Sequence, residues 1–392
     1  MNYLEKQMFR HYIYGRVNEY YMFKEYRLAP GESYKDFKIA LTFSRLGFSE
    51  KFRNLILFVL RIASYFEDFY SVLVIYVRFI YSSILVVFTG RINIDNKKII
   101  YGISGQKVNI LFKQAKIDTK DICVVKSPYC KSNLYDKNWG EEIPMHSNLT
   151  INNVWSAFLL SLRMTFFIRW KYGKRDCMFR SYSSFEYFLC YYFFSKVNKS
   201  NAVYYISIND RWTYIFGQLK CKTVFLQHGA LNVNKVLFIM GKIGTTDIGY
   251  YINKSQRDIC NKYMFNNVPK DLYFAQMEFT ANEKLLMNGK RNVLLVCETI
   301  YFYTEKNIIE EISKTNKYNL YVKPHPQNDP SRYLQLQQVH SFIMLGKTDY
   351  PAVDYVISYD STLVLEYQAK GVKTLMYEDL DYETEYQKLL NQ

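Results

Sequence analysis

Three short stretches and one aspartate carry side chains able to do group-transfer chemistry. Gln227-His228-Gly229 directly follows the apolar run Thr223–Leu226. A neutral imidazole there would act as general base toward an acceptor hydroxyl, and a protonated one would bind a phosphate. Gly229 lets the backbone turn tightly or a ligand approach closely. The plainer alternative for His228 is a turn residue bonded to the main chain. Lys323-Pro324-His325-Pro326 follows the run Leu320–Lys323. Pro324 and Pro326 keep His325 out of helix and sheet interior. The imidazole is then presented rigidly beside the Lys323 charge, a pairing suited to a nucleotide phosphate; a rigid turn with an incidental histidine is the other reading. Ser358-Tyr359-Asp360-Ser361-Thr362 closes the run Tyr355–Ser358 and opens a helix. Ser361 and Thr362 add hydroxyls to first-turn N–H groups, which together make an anion site. Asp360 or Ser361 is the expected N-cap. Glu366, about one turn further, shares that helix face and can accept from ribose hydroxyls. Asp210, after the run Ala202–Ser207, is a second candidate base.

These residues need strands that end where chemistry can happen. From Lys98 onward, short β-branched and aromatic runs alternate with helical stretches: KIIYGIS, ICVVK, AVYYIS, TVFL and DIGYYI, then VLLVC, LYVK, FIML, YVIS and TLMY. Continuous apolar strands of this kind indicate parallel sheets buried on both faces. The rhythm breaks around residues 266–292. The expectation is therefore α/β: two facing, doubly wound Rossmann-like domains, 98–285 for an acceptor and 286–392 for a nucleotide donor. A helical, apolar, membrane-associating segment, 1–97, would precede them. Ligands in such sheets bind outside the carboxyl ends of the strands, where all the residues named above fall.

The order of motifs resembles a group of bacterial surface-polymer transferases. That order is His-Gly after a strand, then Lys-Pro-His-Pro, then Ser-Thr opening a helix that carries an acidic residue and ends near a Gly. The group comprises the GT-B-fold sialyltransferases and polysialyltransferases, the capsule Kdo transferases and the CDP-glycerol glycerophosphotransferases. The resemblance covers roughly residues 200–380. It implies a glycosyltransferase in which His325 contacts the donor phosphate, and Ser361 and Thr362 the phosphate or adjacent nucleotide groups. It leaves two bases open. His228 matches the histidine of the glycerophosphotransferases, and Asp210 is the nearest analogue of the sialyltransferases' acidic base. The loop Ser207–Trp212 (SINDRW) departs from the acidic-acidic-Gly pattern of the latter. The Glu-x7-Glu of retaining relatives is also absent, since Thr374 stands where the second glutamate would follow Glu366. The resemblance thus implies an inverting enzyme with a CMP-linked donor of sialic acid or Kdo type. No metal site and no cofactor are expected; Asp379-Leu380-Asp381 lies after the last strand. Capsule, O-antigen or lipopolysaccharide synthesis would be its setting. A glycerophosphotransferase or a nucleotide-sugar epimerase of the same fold is the enzymatic alternative.

Composition narrows the setting further. The chain has 392 residues, 38 Tyr, 28 Phe and a net charge of +15. Residues 1–100 hold 15 basic and 9 acidic side chains, 101–200 hold 15 and 7, and 201–392 hold 21 and 20. A basic half joined to a neutral half implies an anionic surface met on one side. Phe69–Thr89 is a 21-residue apolar stretch with one charge, Arg78. As a helix it would extend about 31 Å, enough to span a bilayer. A central arginine costs about 2.5–3.5 kcal/mol there. A spanning helix at 69–89, a headgroup-level helix and a buried core helix all stand open. Trp155–Tyr172, aromatic and apolar with Arg163 and Arg169, favours the headgroup level. The expected partners are a nucleotide-sugar donor, a glycan or lipid-linked acceptor and an anionic membrane surface. With no apolar leader at the N-terminus, the expected place is cytoplasmic, peripheral on the inner face of the cytoplasmic membrane. A nucleic-acid-binding protein is the non-enzyme alternative, but nucleic acid is not expected, because the basic residues are dispersed among apolar runs without a binding motif. Seven cysteines without CxxC spacing support neither zinc nor a redox pair, and read as buried thiols.

Overall fold

The computed structural model describes residues 3–25, 66–101, 105–129, 139–172, 181–206, 211–227, 229, 242, 244–274, 288–298, 301–325, 330–346, 349–359, 361–377 and 381–391. The chain divides into two compact units; the described residues up to 274 belong to the first and those from 288 onward to the second.

The first unit is built on a seven-stranded, all-parallel sheet. Its strands are β1 (Lys98–Tyr101), β2 (Ile122–Lys126), β3 (Glu142–Pro144), β4 (Ala202–Tyr205), β5 (Lys222–Leu226), β6 (Ile248–Tyr251) and β7 (Lys270–Tyr273), in the order β3-β2-β1-β4-β5-β6-β7. β1 and β2 are buried along almost their whole length, as continuous apolar runs in a covered parallel sheet must be. Two strands escape the apolar-run pattern. β3 (EIP) and β7 (KDLY) lie at the two edges and bury little, so their sequences carry no apolar run, and β7 falls inside the stretch 266–292 that reads as a break.

The helices of this unit are α1 (Tyr3–Glu25), α2 (Glu67–Phe88), α3 (Gly105–Gln114), α4 (Ile151–Tyr172), α5 (Ser183–Phe194), α6 (Arg211–Phe216) and α7 (Lys254–Tyr263). Much of the aromatic content is core filling. α5 buries Phe185, Tyr187, Phe188, Phe193 and Phe194 completely, and Tyr12 of α1 joins the same cluster. α1 is one long helix whose Met8, Tyr12 and Ile13 lie in the first unit's core. Edge-to-face and tilted pairs, such as Phe194 with Phe216 at 5.0 Å, fill this core with ring edges set against ring faces.

The second unit is a five-stranded parallel sheet of β8 (Arg291–Val296), β9 (Tyr318–Lys323), β10 (Ile343–Met344), β11 (Tyr355–Ser358) and β12 (Lys373–Met376), ordered β10-β9-β8-β11-β12. Its helices are α8 (Phe302–Thr315), α9 (Pro330–Gln337), α10 (Thr362–Ala369) and α11 (Tyr382–Asn391). α8 turns Ile308, Ile309 and Ile312 inward at helical spacing and leaves its other face to charges. Counted within each unit, both sheets share the order 3-2-1-4-5, the doubly wound arrangement.

Candidate functional site

In a 3-2-1-4-5 sheet the chain reverses direction of winding between the first and fourth strands, and the loops leaving those strands part to form a crevice. In the second unit that point lies between β8 and β11. The strand register sets the floor of the site: Val296 of β8 pairs with Lys323 of β9, and Ser358 of β11 donates its hydroxyl to the Val296 carbonyl at 2.7 Å. Three strand ends therefore stand in one row. Lys323 and Ser358 are two strand spacings apart, about 10 Å. His325 and Ser361 leave the sheet from this same edge.

The side chains of the row have distinct surroundings. Lys323 Nζ donates to the carbonyls of Gly346 at 2.7 Å and Asp349 at 2.8 Å, and lies 4.4 Å from the centre of the Tyr350 ring. Burial lowers its pKa to about 8, so it is still mostly cationic at neutral pH. Pro324 and His325 follow, both half-buried. Ser358 is fully buried and fastens β11 to β8, a supporting role. Ser361 is the N-cap of α10, yet its side chain makes no capping bond to that helix. Thr362 is the first helical residue, and the two hydroxyls stand at the helix N-terminus as the sequence leads one to expect. Glu366 lies one turn further along the helix. It is half-buried, and burial pushes its carboxyl up to about 7, with Lys370 opposing the shift. Pro326 and Asp360 lie outside the described residues.

Beneath the β8 loop is a cluster that the motifs do not announce. Glu305, in the first turn of α8, is wholly buried. It accepts the Glu298 N–H at 2.6 Å and the Tyr333 hydroxyl at 2.6 Å. Burial pushes its carboxyl up to about 7, and pushes the neighbouring Cys297 thiol up as well, which keeps that sulfur protonated and poorly nucleophilic. The signal was present in the sequence: Phe302, Glu305, Ile309 and Ile312 form one helical stripe, and a carboxylate on an apolar stripe is out of pattern. Three tyrosines just beyond the ends of β8, β11 and β12 meet above this cluster. Tyr301 and Tyr359 have ring centres 4.0 Å apart, and Tyr377 lies 6.1 Å from Tyr301 and 6.3 Å from Tyr359.

In the first unit, Gln227, directly after β5, is fully buried. Its amide donates to Gly229 O at 2.8 Å and Gln256 Oε1 at 2.7 Å, and its carbonyl accepts the Ile252 N–H at 3.3 Å. These bonds tie the turn after β5 to the start of α7. Gly229, half-buried, is the turn residue so held. His228 and Asp210 lie outside the described residues. The strand ends that lead to them are described. β4 runs toward Asp210 beside β1, at the first unit's own point of reversal, and β5 leads to His228 one strand away.

No protein-family model and no curated protein matches the chain. Solved structures similar to it include a lipopolysaccharide outer core galactosyltransferase, WaaB, in its apo form. It has a TM-score of 0.36 and 11% identity over 71% of this chain and 80% of that one. Another is the spinosyn rhamnosyltransferase SpnG complexed with spinosyn aglycone, with a TM-score of 0.34 and 8% identity over 73% of this chain and 82% of that one. Likeness at this level assigns neither family nor activity, and the functional reading rests on the site itself.

Proposed function

We propose that the chain is an inverting, metal-independent glycosyltransferase of GT-B type. It would build a capsule, O-antigen or lipopolysaccharide glycan at the inner face of the cytoplasmic membrane. The donor is a CMP-linked sugar of sialic acid or Kdo type, and the acceptor a glycan or lipid-linked saccharide. The observation that carries this reading is the row of strand ends in the second unit. It sets Lys323, His325 and the Ser361–Thr362 helix start along one sheet edge, around a point of reversed winding.

The chemistry follows from those groups. The acceptor hydroxyl oxygen attacks the anomeric carbon, and the bond from that carbon to the donor phosphate oxygen breaks. The electron pair leaves on the nucleoside phosphate. His228 or Asp210 takes the acceptor proton. The leaving phosphate gains negative charge, which protonated His325, the Lys323 cation and the first-turn N–H groups of α10 would stabilise. The hydrogen bonds of Lys323 go to loop carbonyls, but its charge acts on the phosphate without direct contact. Glu366 accepts from ribose hydroxyls.

Thermal unfolding in the presence of CMP, CDP, UDP and GDP tests the reading directly, because a ligand that binds only the folded state stabilises it by RT ln(1 + [L]/Kd). CMP is expected to raise the midpoint most. His325→Ala is expected to abolish that rise while leaving the unliganded midpoint in place. Equal, negligible shifts with all four nucleotides would refute the assignment.

A further inference from the structure

Helix α2 buries polar residues on its inner face and leaves its outer face apolar. In a water-soluble domain a surface helix turns apolar residues inward and polar ones to solvent. Here Ser71 and Ser82 are completely buried on either side of Ile75. Ser82 Oγ meets His146 Nε2 at 3.0 Å and also bonds the Tyr129 hydroxyl. The one cation in the apolar stretch, Arg78, is drawn inward as well. Its guanidinium lies 4.4 Å from the Tyr129 ring centre and 5.1 Å from that of Tyr182. The Tyr129 hydroxyl donates to the Arg78 carbonyl at 3.0 Å. The outward face is left with Leu73, Val77, Ile80, Ile84 and Val87, 42–68% exposed and without a charge among them. Of the 24 large apolar side chains exposed among the described residues, ten are on α2 and five on α4.

α4 lies against α2, with Phe79 of α2 meeting Phe158 and Trp155 of α4 at 4.6 and 5.5 Å. The outward stripe of α4 reads Trp155, Leu159, Arg163, Phe166, Trp170. Tryptophan at both ends with an arginine between is the composition of a helix at headgroup depth, where the guanidinium reaches up to phosphate. Exposed Arg91 follows α2, and exposed Lys171 lies at the end of α4. Both helices belong to the first 200 residues, which hold almost all of the excess positive charge.

We infer that α2 and α4 together form a monotopic membrane-docking face that lies in the plane of an anionic phospholipid bilayer, with α2 seated among the acyl chains and α4 at the headgroups. The occupant is lipid because the outward face of α2 is apolar along its length and carries no charge, while cations stand beside it: Arg163 and Lys171 on α4 and Arg91 after α2. The helix lies flat rather than crossing, since its inner stripe is held by the first unit: Ile75 is buried in the core, Arg78 lies over the Tyr129 and Tyr182 rings, and Ser82 bonds His146 and Tyr129. Crossing would strip Arg78 from Tyr129 and Tyr182. This deepens the proposed function by naming the surface that brings the enzyme to a lipid-linked acceptor. The test needs neither donor nor acceptor, so its failure is separate from failure of the transferase reading.

The full chain is floated with phosphatidylcholine vesicles, with and without a one-third share of phosphatidylglycerol. Binding is expected to both and to be at least about tenfold stronger to the anionic vesicles. Brominated lipid is expected to quench part of the tryptophan emission, and the paired variant Trp155→Phe with Trp170→Phe to lose that part. Val77→Glu with Val87→Glu places charges on the face without touching the core and is expected to weaken binding at least about tenfold with the thermal midpoint kept. Should that variant unfold, Val77→Gln with Val87→Gln gives the same comparison without charge. Three results would overturn the inference: no flotation with either vesicle, a concentration-dependent dimer that the Glu variant dissociates, or retention in the membrane through alkaline carbonate extraction, as a spanning helix would show.

Discussion

The two α/β units share one strand order but are dressed in opposite senses. The first wraps its sheet in aromatic helices so thick that α5 is almost wholly interior, and it turns apolar residues of α2 and α4 outward. The second covers its sheet with short amphipathic helices and hides polar groups under the loops of its carboxyl edge: Glu305 beneath Glu298, and Ser358 against Val296. On the proposed reading, a buried carboxyl that fixes a loop at the point of reversed winding stiffens the donor site, and the apolar outer face serves the membrane. Neither feature serves the sheet itself, which needs only its two faces covered.

The comparison is most sharply tested at Glu305. Removing the carboxylate leaves the Tyr333 hydroxyl and the Glu298 N–H buried without their partner. Glu305→Ala is therefore expected to destabilise the second unit by about 3–4 kcal/mol. All four tryptophans, Trp139, Trp155, Trp170 and Trp212, belong to the first unit. The loss should then appear as faster amide hydrogen exchange in peptides covering Arg291–Lys323, with tryptophan emission unchanged. A matching loss of protection across β1 and β2 would mean that the two units unfold as one and would break the comparison.

The same residue predicts a pH dependence whose sign is opposite to that of an ordinary salt-bridged carboxylate. Folding raises the Glu305 pKa from 4.5 to about 7. Below the lower value both states hold the proton. Between the two values only the folded state holds it, so stability contributed by this group falls as pH rises from about 4.5 to about 7. The full difference is on the order of 3 kcal/mol. Glu305→Gln, always neutral, is expected to flatten the slope between those limits in hydrogen exchange of the second unit. A slope that survives this substitution would assign it to another group, with the half-buried Glu366 first in line.

Gln227 gives the first unit's counterpart. It secures the turn after β5 with side-chain bonds to Gly229, Gln256 and Ile252. Gln227→Ala is expected to cost about 2 kcal/mol, less than Glu305→Ala, because its partners at the sheet edge gain access to water once the side chain is gone. Chemical denaturation followed by tryptophan emission reads this directly. A cost above that of Glu305→Ala would reverse the ranking of the two edges.

How much of this was legible in the sequence depended on how local the cause was. Strands buried on both faces, such as ICVVK and VLLV, declare themselves as apolar runs. The edge strands β3 and β7 do not, because they satisfy their pairing without burying both faces. The placement of Lys323, His325, Ser361 and Thr362 along one sheet edge was legible because Lys323 ends β9 and the others follow β9 or β11 within four residues, with Glu366 one turn further along the helix. That Lys323 is bonded to Gly346 and Asp349 was not, since those carbonyls come from a loop more than 20 residues on. Glu305 could have been flagged by its place on an apolar stripe, but Tyr333, which completes its environment, belongs to another helix. The apolar length of residues 69–89 was plain, while the surface placement inferred for it rests on which way Arg78 points. The residues that decide this, Tyr129 and Tyr182, lie 51 and 104 positions away.

The smallest expected effect concerns that arginine and separates a charge in the helix from a charge on its face. Arg78 has its Nη1 buried without a hydrogen-bond partner among the described residues, and its main contacts are the Tyr129 and Tyr182 rings. Replacing it by methionine removes a cation–π contribution of about 1–2 kcal/mol but also relieves the burial of an incompletely bonded cation, so the two largely offset. Arg78→Met is therefore expected to shift first-unit stability by no more than about 1 kcal/mol and to leave vesicle binding as it was. Ile80→Arg, only two residues along, puts the same cation on the outward face. It should weaken binding to uncharged phosphatidylcholine vesicles about tenfold, because an arginine held below the headgroups carries its desolvation cost into the membrane. If instead Arg78→Met strengthened binding and Ile80→Arg had no effect, the outward face would be the one that carries Arg78. The assignment of the two faces of α2 would then be reversed.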